Sequence, residues 1–237
     1  MNLIRQIFFL IILISSAPLS YSQIMFSDRV ESYYLENGLK VVLIEDKRSP
    51  SVVNSIWYKV GSSNEESGKT GISHVLEHMM FKGTVNLAPG EFSSIVKKMG
   101  GTENAFTSKD YTGYFQKIHT SDLRRCIELE SDRMRNLKLD VKEIKSEIEV
   151  VKEERRLRTD DNPVAKTFEK IMINAYGMNE YGIPIIGTMD NLNSITKADL
   201  QRWYDLHYQP NNAIVIIAGN FNSNDVKKYI KEYYGSI

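Results

Sequence analysis

The 237-residue chain predicts an α+β fold, in which a mainly antiparallel sheet carries helices packed on one face. Two observations carry this expectation. Segments rich in β-branched and aromatic residues come in adjacent pairs joined by turn signals, and amphipathic helical stretches separate those pairs from a last apolar strand. No internal repeat or low-complexity run interrupts the order. Strands that follow one another this closely pair antiparallel, and the helices between them are left to cover one face of the sheet.

Residues 1–22, MNLIRQIFFLIILISSAPLSYS, stand apart from the rest. One cation (Arg5), an apolar run from Ile7 to Ile14 and a small-residue tail make the pattern of a signal peptide, with Ser20 and Ser22 placing cleavage before Gln23. The apolar run falls well short of the roughly 20 residues that a membrane-spanning helix needs. The expectation is therefore a domain over residues 23–237, periplasmic or secreted, with no stable membrane insertion after cleavage; the alternative is that the segment stays as an uncleaved membrane anchor. That length supports one domain with a sizeable core. The 30 basic and 30 acidic side chains of the full chain cancel, which gives no electrostatic reason to expect nucleic acid or an anionic membrane as partner. Cys126 is the one cysteine, so no intrachain disulfide can form.

In chain order, VESYYLENGLKVVLIED (30–46) reads as two strands joined at Asn37-Gly38, the dipeptide suited to a type I′ turn. Ser51 to Val60 is a third strand. A polar loop, GSSNEESGKT, then delivers Thr70 as the N-cap of a helix, and Pro89 opens a short helix ending near Gly100. GGTENAFTS and YTGYFQKIH form the next strand pair. A long helical tract runs from Thr120, breaks near Asp140 and resumes to Arg158, and Asn162-Pro163 separates it from a further helix. Short helices near Asp190 and over 197–207, a buried strand AIVIIAG and a last helix from Asn224 to Tyr234 complete the chain.

Chemistry concentrates in GISHVLEHMMFKGT (71–84), where His74, Glu77 and His78 are spaced H-x-x-E-H. At about 100° per residue they share one helical face, and the remaining circumference is apolar. A buried helix of this kind needs partners for its polar stripe. Two neutral imidazoles four residues apart suit one zinc ion, with the carboxylate beside it placed to handle a proton.

Such a site needs another protein ligand. On the helix over 140–158, Glu147 and Glu154 are seven residues apart and share an apolar stripe with Ile144, Ile148, Val150 and Val151. Carboxylates in that setting require a positive partner, which is a metal ion or, in the plainer reading, a buried arginine. Arg155, Arg156 and Arg158 read as a solvated face or local ion pairs. His119 and His207 lack motif context and read as structural.

These residues carry a resemblance to the pitrilysin (insulinase) family of zinc metallopeptidases, the inverzincins, which use the H-x-x-E-H order. Three further segments share it: GGTENAFTSKDYTGYF, EIEVVKEERRLRTDDNP and YQPNNAIVIIAGNF. The resemblance implies the α/β roll of that family, with one Zn2+ per chain held by His74, His78 and Glu154. It also implies Glu77 as general base, Glu147 as a supporting carboxylate, and Asn104, Ala105 and Phe106 as the sheet edge that pairs with an extended substrate, either a peptide or an unfolded protein. Family members close two homologous halves around the substrate, and this chain resembles the first. The resemblance thus implies a second half, in a longer chain or a partner subunit, for full activity. The alternative is a non-catalytic peptide-binding or assembly subunit that keeps the fold. Asn179-Glu180-Tyr181 departs from the family's usual His-Pro-Tyr.

Overall fold

A computed structural model describes residues 30–177 and 179–237, so the leader expected over residues 1–22 lies outside the described residues. Among the described residues, the strands β1 (Val30–Tyr34), β2 (Lys40–Glu45), β3 (Ser51–Tyr58), β4 (Thr102–Thr107), β5 (Thr112–His119) and β6 (Ala213–Gly219) form one sheet in the order β1-β2-β6-β3-β5-β4. Every neighbouring pair is antiparallel except β2 and β6, which run parallel with Val41 opposite Val215. The α+β expectation holds, with that one parallel pair added. Although β2 and β3 are consecutive in sequence, β6 returns after the whole helical tract and inserts between them.

The β1–β2 turn differs from the expected type I′. Gly38 alone takes a left-handed φ, of 86°, whereas Asn37 stays at negative φ. Gly38 N donates to Leu35 O and Leu35 N to Leu39 O, so the turn is wider than two residues. This leaves the Asn37 amide free to donate to Tyr234 O (2.7 Å) and Ile237 O (3.1 Å), tying the hairpin to the last helix.

Strand alternation sorts the sheet into two faces. Val41, Leu43, Val52, Ile56, Tyr58, Tyr114, Val215 and Ile217 are buried under the helices. On the opposite face Val42, Ile44, Val53, Trp57, Phe115, Ile214 and Ile216 are only half-buried. The helices are α1 (Ile72–Met79), α2 (Glu91–Lys98), α3 (Leu123–Asn136), α4 (Val141–Arg155), α5 (Pro163–Tyr176), α6 (Met189–Ser194), α7 (Lys197–His207) and α8 (Ser223–Tyr234). Beyond Arg155, α4 continues as a wider π-helical turn over Arg156–Asp160.

A fully buried ion pair fixes α3 to the sheet. Arg133 Nε and Nη2 each lie 2.7 Å from an oxygen of Glu130, and Gln116 of β5 donates to the same carboxylate at 2.7 Å. The guanidinium also sits 4.3 Å from the Phe92 ring centroid and 4.6 Å from that of Tyr114.

Candidate metal centre

Helix α1 begins differently from the sequence expectation. Its N-cap is Gly71, at φ 92°, rather than Thr70. The Thr70 hydroxyl instead accepts from Asn191 Nδ2 at 2.7 Å, fastening the loop to α6. Capping falls to Glu65, whose carboxylate accepts from Gly71 N (2.7 Å) and Ser73 N (2.9 Å). Burial pushes the Glu65 carboxyl up to about 7, against the pull of those amides. Gly71 also touches the loop before α6: a Cβ on Gly71 would lie 2.6 Å from Ile186 O, and one on Gly187 would lie 2.3 Å from Thr70 O.

One helical turn apart on α1, the His74 and His78 rings stand 4.8 Å apart between centroids. Glu154 of α4 approaches both, with Oε2 at 3.9 Å from His74 Nε2 and 3.5 Å from His78 Nε2. Ligand atoms of all three lie within 4.8 Å of one another. Zinc with bonds of about 2.0–2.2 Å in tetrahedral geometry spaces its ligands roughly 3.3 Å apart, so these residues fit such an ion after small side-chain shifts. Burial, helped by the nearby His78 and Arg158, lowers the His74 pKa to about 3, which keeps the ring neutral and its lone pair available. His74 Nδ1 is buried without a hydrogen-bond partner among the described residues.

Glu147 lies behind His78. Its Oε2 is 3.1 Å from His78 Nδ1, a contact that makes Nδ1 the donor and turns the Nε2 lone pair toward Glu154. Its Oε1 is 2.5 Å from Lys82 Nζ. Burial works to raise the Glu147 pKa, but the His78 and Lys82 hydrogen bonds override it and the net direction is down. For His78, burial works downward, and the Glu147 hydrogen bond with the surrounding carboxylates carries it upward.

Glu77 is 9% exposed and, among the described residues, accepts one hydrogen bond, from Thr107 Oγ1 to Oε2 at 2.5 Å. Burial raises its pKa while Thr107 and His78 pull it back. His74, Glu77, His78 and Glu154 open onto a cavity of about 730 Å³, walled on one side by Asn104 to Thr107 of β4 and on another by Pro184, Ile185 and Ile186. Among the described residues β4 is an edge strand, so one side of its backbone has no neighbour in the sheet they form. Asn104 Oδ1 accepts from Ala105 N (2.9 Å), and the Phe106 ring meets Trp57 at 5.1 Å.

The family described as Insulinase (Peptidase family M16) matches residues 40–189, and that described as Peptidase M16 inactive domain matches residues 194–237. The chain belongs to the M16 peptidase family. Among M16 relatives it is 42% identical to "Zinc protease PqqE" of Helicobacter pylori, over 87% of this chain and 47% of that protein. It is 31% identical to "Uncharacterized zinc protease YmxG" of Bacillus subtilis, over 87% of this chain and 50% of that one. A crystal structure of a protease from Helicobacter pylori superposes with a TM-score of 0.85 at 41% identity, covering 87% of this chain and 50% of that chain. The periplasmic protease PqqL of Escherichia coli gives a TM-score of 0.82 at 25% identity, covering 89% and 24%. The chain thus spans about half the length of the curated relatives it matches.

Within this M16 fold, every sequence-predicted site residue but Glu147 lines one cavity, and Glu147 touches His78 from behind. The cation facing Glu147 is Lys82, not an arginine, while Arg158 Nη1 contacts Glu154 Oε1 at 2.8 Å as a local pair. Arg155 corrects the expectation of a solvated face. It is buried, reaches Glu169 of α5 at 2.9 Å and donates to Gly187 O at 2.7 Å. Lys82, Thr107 and Glu65 escaped the sequence reading, because each is of a residue type common in turns, strands and loops.

Proposed function

We propose that the chain is a zinc-dependent endopeptidase domain in which His74, His78 and Glu154 hold one zinc ion. The observation that carries this is the convergence of two imidazoles and a carboxylate within 4.8 Å, on a cavity that also contains a buried, singly hydrogen-bonded Glu77. The zinc-protease names of the relatives support the same metal.

Zinc, when bound, supplies Lewis-acid polarisation of water and of the scissile carbonyl. Glu77 takes a proton from water through its free oxygen and returns one to the leaving amine. Glu147, itself neutralised by Lys82, keeps the His78 ring in the orientation the ligand set requires. The Asn104–Phe106 edge of β4 offers main-chain groups to an extended peptide or unfolded protein segment, which adds as one more strand. The Asn104 side chain, now capping Ala105 N, gives way to the substrate.

Full activity requires a second homologous half. The half-buried apolar face of the sheet, with Trp57, Phe115, Ile214 and Ile216, is a surface such a half would cover. Export to the periplasm or beyond follows from the signal-like residues 1–22 and accords with the periplasmic PqqL neighbour. No helix among the described residues is long and apolar enough to cross a membrane.

Metal analysis of the purified chain tests the reading: one zinc per chain is expected, with Glu154→Gln weakening its retention. Metal-free protein from zinc-replete medium would sink it.

A further inference from the structure

We propose that Thr107 is a positioning residue for Glu77, holding one oxygen of that carboxylate so that the other is presented to the cavity. The proposal rests on the reading of Glu77 as proton acceptor. The Thr107 hydroxyl is 2.5 Å from Glu77 Oε2, and it supplies the one hydrogen bond found to that side chain among the described residues. A glutamate has three side-chain torsions to fix, and among the described residues no second hydrogen bond reaches the Glu77 carboxylate, although His74 and His78 share its face of α1. One strong hydrogen bond decides which way its carboxylate faces.

The anchor itself is well held. Thr107 is the last residue of β4, paired with Thr112 of β5, and the Thr112 hydroxyl donates to Val60 O at 2.9 Å. A β-branched side chain on a paired strand has few rotamers, so the sheet backbone sets where Oγ1 sits. The strand that ends in Thr107 also carries Asn104, Ala105 and Phe106 along the cavity wall. One strand therefore offers its edge to a peptide and orients the base that would act on it. Substrate docking and base orientation share a frame.

Acetohydroxamic acid tests this without turnover. On chelating zinc its hydroxyl O–H bond breaks, the oxygen goes to the metal and the proton goes to a neighbouring base. Imidazole, titrated above its own pKa so that it is neutral, binds the metal through its lone pair and releases no proton. With zinc-loaded full chain and calorimetric titration compared per zinc bound, Thr107→Val should weaken acetohydroxamate by about tenfold or more and leave imidazole within about twofold. Thr107→Ser, which keeps the hydroxyl, should restore acetohydroxamate binding. Unchanged acetohydroxamate affinity in Thr107→Val at full zinc content overturns the role of Thr107 alone. Equal weakening in Val and Ser variants makes the effect one of packing and also overturns it. A wild-type chain that takes up no zinc removes the metal reading and this proposal together.

Discussion

Lys82 Nζ lies 2.5 Å from Glu147 Oε1, on the far side of the carboxylate that holds His78. A partly buried lysine thus backs a carboxylate that backs an imidazole, and against the upward push of burial the hydrogen bonds from His78 and Lys82 hold the Glu147 carboxyl down. Lys82→Met should loosen this chain of contacts and weaken zinc binding by about 10-fold to 100-fold, the usual cost of losing an outer partner of a ligand. Competition against a chromophoric chelator measures it, and unchanged affinity would remove Lys82 from the site.

Glu77→Gln separates metal holding from proton transfer. The amide keeps the shape and can still meet Thr107, so zinc content should stay at the wild-type level. Peptide cleavage, assayed with whatever second half supports turnover, should fall by about 100-fold to 10,000-fold. Retained turnover would exclude Glu77 as the base.

Away from the site, Glu130→Ala should be among the most damaging single changes. It strands the Arg133 guanidinium, 1% exposed, among aromatic rings with no counter-charge. Removing one partner of a buried pair costs about 3–5 kcal/mol, which urea unfolding would detect as a large fall in midpoint. A shift below about 1 kcal/mol would mean that the surrounding rings suffice to hold the charge.

Acid stability should depend on Asp199. Its carboxyl sits low, at about 2. Burial opposes this, but hydrogen bonds from Lys69 and Thr196 prevail. The folded value lies below the ordinary aspartate value of 3.8, so the stabilisation is present above about pH 4 and is lost as the pH falls toward about 2. Asp199→Asn should lower the melting temperature at pH 5 and flatten its decline between pH 4 and 2. Parallel curves for the two proteins would show that Asp199 does not contribute.

Much of this was legible because helical spacing is local. His74, Glu77 and His78 are placed on one face by arithmetic, and Glu147 and Glu154 by their seven-residue separation. Strand order was not legible: β6 inserts between β2 and β3 through pairings made some 170 residues apart, which no local pattern records. Asn37-Gly38 misled because Asn37 is claimed by backbone carbonyls at the other end of the chain. Arg155 was hidden among neighbouring arginines, of which it alone turns inward. Lys82 and Thr107 carry no spacing signal, and only the meeting of α1 with α4 and β4 gives them their roles.

Gly187 meets both helices that bear the metal-site side chains. Its backbone abuts the Thr70–Gly71 start of α1, and its carbonyl takes the hydrogen bond from Arg155, the residue next to Glu154. The distance between the histidine pair and the glutamate is therefore gauged by a third party, through main chain rather than through the ligands themselves. If these residues hold zinc as proposed, their spacing is set by the fold, and an ion would not need to draw two helices together to bind. Gly187→Ala, by driving a wedge at that gauge point, would act on the metal from outside the cavity altogether.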